Sequence, residues 1–536
     1  MMRRINILCL VALFAIASNF VARAESPRLV INIVVSSMRA SDIDRYGDNF
    51  IEGGFNHLID NGTRFTDAHH SYLLNSTPTG LATLSTGALP SVHGIVGDMW
   101  WNYVDSSKVT LIEDRKQRPV EFSTGSGNHS AHRLIAPTLG DMLLADDNQS
   151  RQYTIAIDAL SSIVLNGKAG VALWAERNQT HWTTSSAYLK EMPRWIKDYN
   201  AHDTNNFYTL SRWTPIHEPT AYHNDEVAVV EDLTGKQTRL LSDINLRLAK
   251  DAYGRMCYTP AGNTMILKFA RSLLTLEKLG KDSHTDILNL CFDTSRYIAQ
   301  SYGSESIEYE DMLYRLDKDL ADFFEFVYSH VGSREDVIIT LSSDHGTSPS
   351  FNPVGGAAKE RFNVRQMEVI VNAFLGARYG SDSYILGYRN NALYLNHQLI
   401  LNKRLSLNDI REEVAVFMLQ LRGVASALSA TALRNTSFAE GRSRLMQRSF
   451  YATRSGDVLI ELMPGWMEED NNLRSTSISG YNYSTHVPMI IAGGNIPHSI
   501  IERETDVTVL APTLARLIGI DSPWASTAKA VREIIE

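Results

Sequence analysis

The sequence predicts an α/β protein with a central, mostly parallel sheet flanked by helices and interrupted by an inserted cap. Two observations carry this. First, short continuous apolar runs rich in β-branched residues recur along the chain, beginning with LVINIVV at 29–35, the pattern of strands buried on both faces. Second, helical periodicities lie between those runs, and strand alternating with helix is the signature of a layered sheet.

In order, the strand runs fall at 29–35, 153–157, 287–292, 337–341 and 489–492. Helical patterns occupy 50–61, 138–145, 263–279, 312–331 and 509–518. Residues 166–261 break the rhythm. They hold Trp174, Trp182, Trp195 and Trp213 among Asn, Thr, His and Tyr residues, and read as a cap whose aromatics serve as core and lid rather than as a sugar platform. A second insertion is expected at 388–449, where YILGYRNNALYLN reads as a hairpin and 407–421 as a helix. No internal repeat or Pro/Gly linker divides the chain, so 25–536 is read as one domain with insertions.

The first 24 residues read separately. A basic start (Arg3, Arg4), an apolar stretch and Ala22-Arg23-Ala24 make a secretory signal peptide cleaved after Ala24, which places the mature chain in the periplasm or outside the cell. The remainder has no apolar stretch of spanning length. With 51 Lys or Arg against 60 Asp or Glu the chain carries a formal charge of −9, and loss of Arg3, Arg4 and Arg23 makes it −12. An acidic body of this kind is a poor match for nucleic acid. Of three cysteines, Cys9 leaves with the signal, and Cys257 and Cys291 fit neither a disulfide scaffold nor a C-x-x-C metal motif; whether they pair stays open.

In such a sheet, function collects on loops following the carboxyl ends of strands. Those loops hold Ser36-Ser37-Met38-Arg39, Asp293-Thr294-Ser295-Arg296 and Ser343-Asp344-His345-Gly346. Asp344 and His345 read either as a capped turn or as ligands for zinc or another divalent ion. Ser76 and Thr77 open a helical stretch, as plain N-caps or as hydroxyls facing an anion at the positive helix end. His69 and His70 are adjacent, so their side chains point apart, and both are read as structural.

These segments resemble the alkaline phosphatase superfamily, and within it the exported bacterial branch that uses a Thr nucleophile, the phosphate-irrepressible alkaline phosphatases. The resemblance runs through 28–54, 62–100, 174–195, 259–280, 344–346 and 479–494. It implies an alkaline-phosphatase-like fold and two zinc ions bridged by phosphate, with Thr77 at the nucleophile position and Asp344, His345 and His486 at retained ligand positions. Several other positions depart from the pattern. V-V-D-x-M-R becomes Val34-Val35-Ser36-Ser37-Met38-Arg39, so Ser36 replaces a carboxylate ligand. S-T-D-Y-x-G-H becomes Thr294-Ser295-Arg296-Tyr297-Ile298-Ala299-Gln300, so Arg296 and Gln300 replace an Asp and a His. The phosphate contacts change too: the Asn of G-I-V-G-N is Asp98, and Lys-Asp-Arg is Asp158-Ala159-Leu160. Tyr72, Gly80, Thr86-Gly87, His93-Gly94, Gly346 and Tyr483 stay in register.

The expectation is therefore a non-catalytic member of the superfamily that binds a ligand or partner, such as an anionic small molecule held by Arg296 and the helix start, or an envelope protein. The resemblance then leaves at most one divalent metal, zinc, at Asp344 and His345. The second expectation is a divergent metal-dependent hydrolase of phosphoesters or sulfate esters that uses Thr77, with Asp98 or Asp42 as a replacement ligand.

Overall fold

The computed structural model describes residues 26–121, 127–176, 181–202, 213–224, 229–231, 237–239, 256–350, 361–469 and 473–535. The signal segment and much of the cap lie outside the described residues. Ten strands build the main sheet: β1 (Leu29–Val35), β2 (Gly62–Phe65), β3 (Pro119–Val120), β4 (Gln152–Ala156), β5 (Val171–Glu176), β6 (His181–Ser185), β7 (Asp286–Phe292), β8 (Val337–Ser342), β9 (Met489–Gly493) and β10 (Ser499–Ile501). Across the sheet they run β10-β2-β9-β8-β1-β7-β4-β5-β6-β3. The run β8-β1-β7-β4-β5 is parallel throughout, while β9 and β6 are antiparallel to their inner neighbours.

The central strands are buried on both faces because helices cover each side: all seven residues of β7 are buried, and in β1 only Asn32 is half-exposed. One face packs against α3 (Ala261–Glu277), α4 (Thr294–Tyr302) and α5 (Ile307–Val331). The other packs against α1 (Thr77–Thr86), α2 (Ala159–Asn166) and α6 (Leu510–Leu517). A buried polar ladder crosses the interior. Thr340 donates to Asn32 (2.9 Å), Asn32 to Asn289 (2.8 Å), Asn289 to Thr154 (2.9 Å) and Thr154 to Asn166 (3.1 Å). It ties β8, β1, β7 and β4 into one register.

Two expected boundaries move. The cap expected at 166–261 begins later, because Val171–Glu176 and His181–Ser185 are strands of the main sheet, and Trp174 and Trp182 are core residues. Trp182 stacks on Phe269 of α3 at 4.2 Å between ring centres, so the aromatic content of this region serves packing. The insertion expected at 388–449 runs beyond both ends. Its four strands, Ile385–Arg389, Ala392–Leu395, Val424–Ser429 and Val458–Leu462, form a separate sheet with a core of its own, and the last strand sits inside that sheet, so the unit cannot close before it. The hairpin and the helix at Leu407–Met418 are present as expected. Cys257 and Cys291 are both buried free thiols.

Candidate functional site

Four neighbouring parallel strands deliver their carboxyl-terminal loops side by side. β8 leads to Asp344 and His345, β1 to Ser36 and Ser37, β7 to Asp293 and Arg296, and β4 to Asp158. This is the crevice edge where such sheets gather ligands. Helix α1 comes down onto it. Its Gly80 makes the approach possible, since a Cβ there would stand 1.8 Å from the Asp344 carbonyl oxygen. Ser76 is the N-cap, and its amide donates to Thr79 Oγ1 (2.9 Å). Thr77 is the first helical residue and is buried.

Thr77 Oγ1 lies 3.2 Å from His345 Nε2, and His345 Nδ1 is 2.8 Å from the Gly346 carbonyl. Only an N–H can bond a carbonyl, so Nδ1 carries the proton and Nε2 accepts from the threonine. Burial lowers the His345 pKa and keeps the ring neutral, against the opposing pull of Asp344. Asp344 is fully buried. Burial pushes its pKa up, but His345, the Ser36 hydroxyl, Arg296 and the Ser37 amide together hold it below the usual carboxylate range. Ser36 Oγ donates to Asp344 Oδ2 (2.7 Å) and Ser37 N to Oδ1 (3.1 Å).

Arg296 is held by carboxylates on both sides. Its guanidinium contacts Asp158 at 2.6 Å and Asp293 at 3.5 Å, and the Tyr297 hydroxyl donates to the same Asp158 oxygen (2.5 Å). Burial opposes the charge on Arg296, but Asp158, Asp293 and Asp344 override it and keep the group cationic. Burial raises the Asp293 pKa, helped by the Asp158 charge and opposed by Arg296 and Ser161.

The other expected residues fall elsewhere. His486 does not join Thr77: its Nε2 donates to the Thr66 carbonyl (2.8 Å) and its ring stacks on His69 at 4.7 Å, because the turn after Asn482–Thr485 faces the short strand Ala68–His69. Asp98 is bound by Arg389 (2.6 Å). Asp42 is buried against Arg39 and Tyr309 (3.0 Å each), so neither acid reaches Asp344 as a replacement ligand. Leu160 packs against the core, and the Gln300 carbonyl accepts from Arg474 (2.7 Å). Arg296, expected to help hold an anionic ligand, is flanked by the carboxylates of Asp158 and Asp293. Sequence reasoning named Asp293 only as a loop residue. The signal was Arg296 itself, since a buried cation needs carboxylates beside it. His70 behaves as expected, with Nε2 on the Ser343 carbonyl (2.9 Å).

Fold and site together define the class. Residues 30–481 match the type I phosphodiesterase / nucleotide pyrophosphatase family, and the chain belongs to that family, within the alkaline phosphatase superfamily. Among its relatives, alkaline phosphatase PafA of Elizabethkingia meningoseptica is 28% identical over 523 residues, covering 95% of this chain and 94% of the relative. Alkaline phosphatase PhoV of Synechococcus elongatus is 26% identical over 530 residues, covering 97% and 95%. The crystal structure of wild-type PafA superimposes with a TM-score of 0.87 at 27% identity, covering 95% of this chain and 99% of that one. Among the described residues no helix is long and apolar enough to cross a membrane.

Proposed function

We propose that this protein is an exported, non-catalytic member of its family that binds a ligand or protein partner. The observation that carries the reading is that Ser36 and Arg296, at two of the substituted ligand positions, are each engaged by neighbouring carboxylates. Ser36 closes on Asp344, and Arg296 sits between Asp158 and Asp293. Around Thr77 the donors for a metal are one carboxylate, one imidazole and one hydroxyl, with a guanidinium on the next loop. Zinc takes three or four protein ligands, so this set does not fit two ions. The carboxylates around Arg296 also leave no surplus positive charge for a phosphate dianion. That argues for a protein partner or a weakly charged ligand over an anion.

A second reading rests on one contact. A threonine hydroxyl bonded to a neutral imidazole, whose other nitrogen is fixed by a carbonyl, is the arrangement of a nucleophile and its general base. In this reading the chain is a divergent phosphoester or sulfate ester hydrolase. Hydrolysis of phosphomonoester, phosphodiester and sulfate ester substrates by the zinc-loaded mature chain, compared with Thr77→Ala, separates the two. The first reading expects no turnover above background in either protein. Turnover that disappears in Thr77→Ala overturns it in favour of the second.

A further inference from the structure

On the far side of the strand Ala68–His69 from Ser343, three side chains converge that the Thr77 site does not use. His69 Nε2 lies 2.8 Å from Asp67 Oδ1. The His486 ring stacks on His69 with an interplanar angle of 13°. Nitrogen and carboxylate donors from Asp67, His69 and His486 all lie within 4.8 Å of one another, each on a half-buried residue, and among the described residues this is the one such group of His, Cys, Asp or Glu.

The backbone presets this arrangement. Asp67 and His69 are two apart on an extended segment, so they share a face, while His70 turns the opposite way to Ser343. His69 and His486 face each other across an antiparallel bridge, flanked by His70 N to Thr485 O (2.9 Å) and Val487 N to Ala68 O (3.0 Å). Each imidazole also has a partner that sets its orientation. The Thr66 carbonyl takes the His486 Nε2 proton, so Nδ1 carries the lone pair. Thr485 Oγ1 lies 3.1 Å from His69 Nδ1 and accepts that proton once Nε2 turns to a ligand. Metal-binding histidines are held in this way by carbonyls and hydroxyls at their second nitrogen.

We propose that Asp67, His69 and His486 form a zinc-class divalent metal site, separate from the Thr77 site, that clasps the 66–69 segment to the turn at 485–486. Two imidazoles and one carboxylate are the donor set of a four-coordinate borderline metal, with water completing the tetrahedron. Ser484 in the same turn accepts from Gly346 N (2.8 Å), so the clasp would brace the segment supporting the His345 loop.

The test is metal content and calorimetric titration of the full mature chain with zinc after chelator treatment, repeated with cobalt(II) for its tetrahedral absorption bands. The variants are His69→Gln with His486→Gln, Asp67→Asn, and His345→Gln. The expected result is one tight ion per chain in the wild type and in His345→Gln, with affinity weakened by more than about tenfold in the double variant. The Asp67 side chain is more exposed than that of His69 (43% against 14%), so Asp67→Asn keeps the test informative if the double variant fails to fold. Zinc binding lost only in His345→Gln, binding unchanged in Asp67→Asn and the double variant, or no stoichiometric binding by the wild type would each overturn the proposal.

Discussion

At position 296 a guanidinium holds two carboxylates together, so its value lies in what its removal exposes. Arg296→Ala leaves Asp158 and the fully buried Asp293 facing each other without a cation, and breaking a buried pair from one side costs about 3–5 kcal/mol. Arg296→Leu combined with Asp158→Leu and Asp293→Asn removes all three charges and is expected to cost far less in denaturant unfolding. His93 offers a titration on the same scale. Burial, with Arg454 nearby, depresses its pKa to about 3, and the neutral ring accepts from Ile95 N (3.1 Å). An unfolded histidine titrates near 6.5, so between the two values the unfolded chain binds a proton that the folded chain does not. Stability therefore falls as pH drops below about 6.5, by about 2 kcal/mol from this group between pH 6.5 and 5. Melting curves of wild type and His93→Gln over that range should show a flatter dependence in the variant.

Among the elements, the parallel strands illustrate how register reaches the site. Because β8, β1, β7 and β4 are aligned by the ladder through Asn32 and Asn289, their loops end level, and that level places Ser36 on Asp344 and Asp158 on Arg296. Asn289→Leu removes two rungs and leaves the Asn32 NH2 unpaired in the interior, while the Thr154 hydroxyl keeps its bond to Asn166. The expected loss is about 1–3 kcal/mol, the cost of one buried polar group left unpaired. Chemical denaturation measures it. The five central strands β1, β4, β7, β8 and β9 and the long helices were legible as hydrophobic periods in the sequence, and the hairpin from its turn residues; the shorter edge strands and β5 and β6, whose runs are brief or polar, were not. Asn32 and Asn289 were hidden, because each is one polar residue within an apolar run and only the neighbouring strand supplies its partner.

For the molecule as a whole, the described part of the cap is fastened to the body by two adjacent acids of α5. Asp311 accepts from Trp213 Nε1 (2.7 Å), Ile216 N (2.7 Å) and the Tyr222 hydroxyl (2.5 Å), while Glu310 accepts from His223 N (2.8 Å) and Asn224 N (3.0 Å). Hydrogen bonds to a charged acceptor are worth about 1.5–3 kcal/mol each. Asp311→Ala should release the 213–224 segment while leaving the sheet folded, seen as faster limited proteolysis there with an unchanged far-ultraviolet circular dichroism spectrum. Two neighbouring acids in a helix read as a solvated face in a sequence, and only the packed cap reverses that reading.

The candidate site divides in the same way. Local pattern was enough to locate the five central strands, the loops at their ends that carry Ser36, Asp293, Arg296, Asp344 and His345, and the helix start at Thr77, because hydrophobic period and turn chemistry are local properties of the chain. Tertiary structure decided the partnerships. Strand order brought the Asp158 and Arg296 loops together, although 138 residues separate them, and the bridge between Ala68–His69 and the turn before β9 drew His486 to His69 instead of Thr77. A charge or an imidazole takes its chemical role from whatever the fold sets beside it, and those neighbours are fixed by sheet order and packing over distances that local pattern does not span.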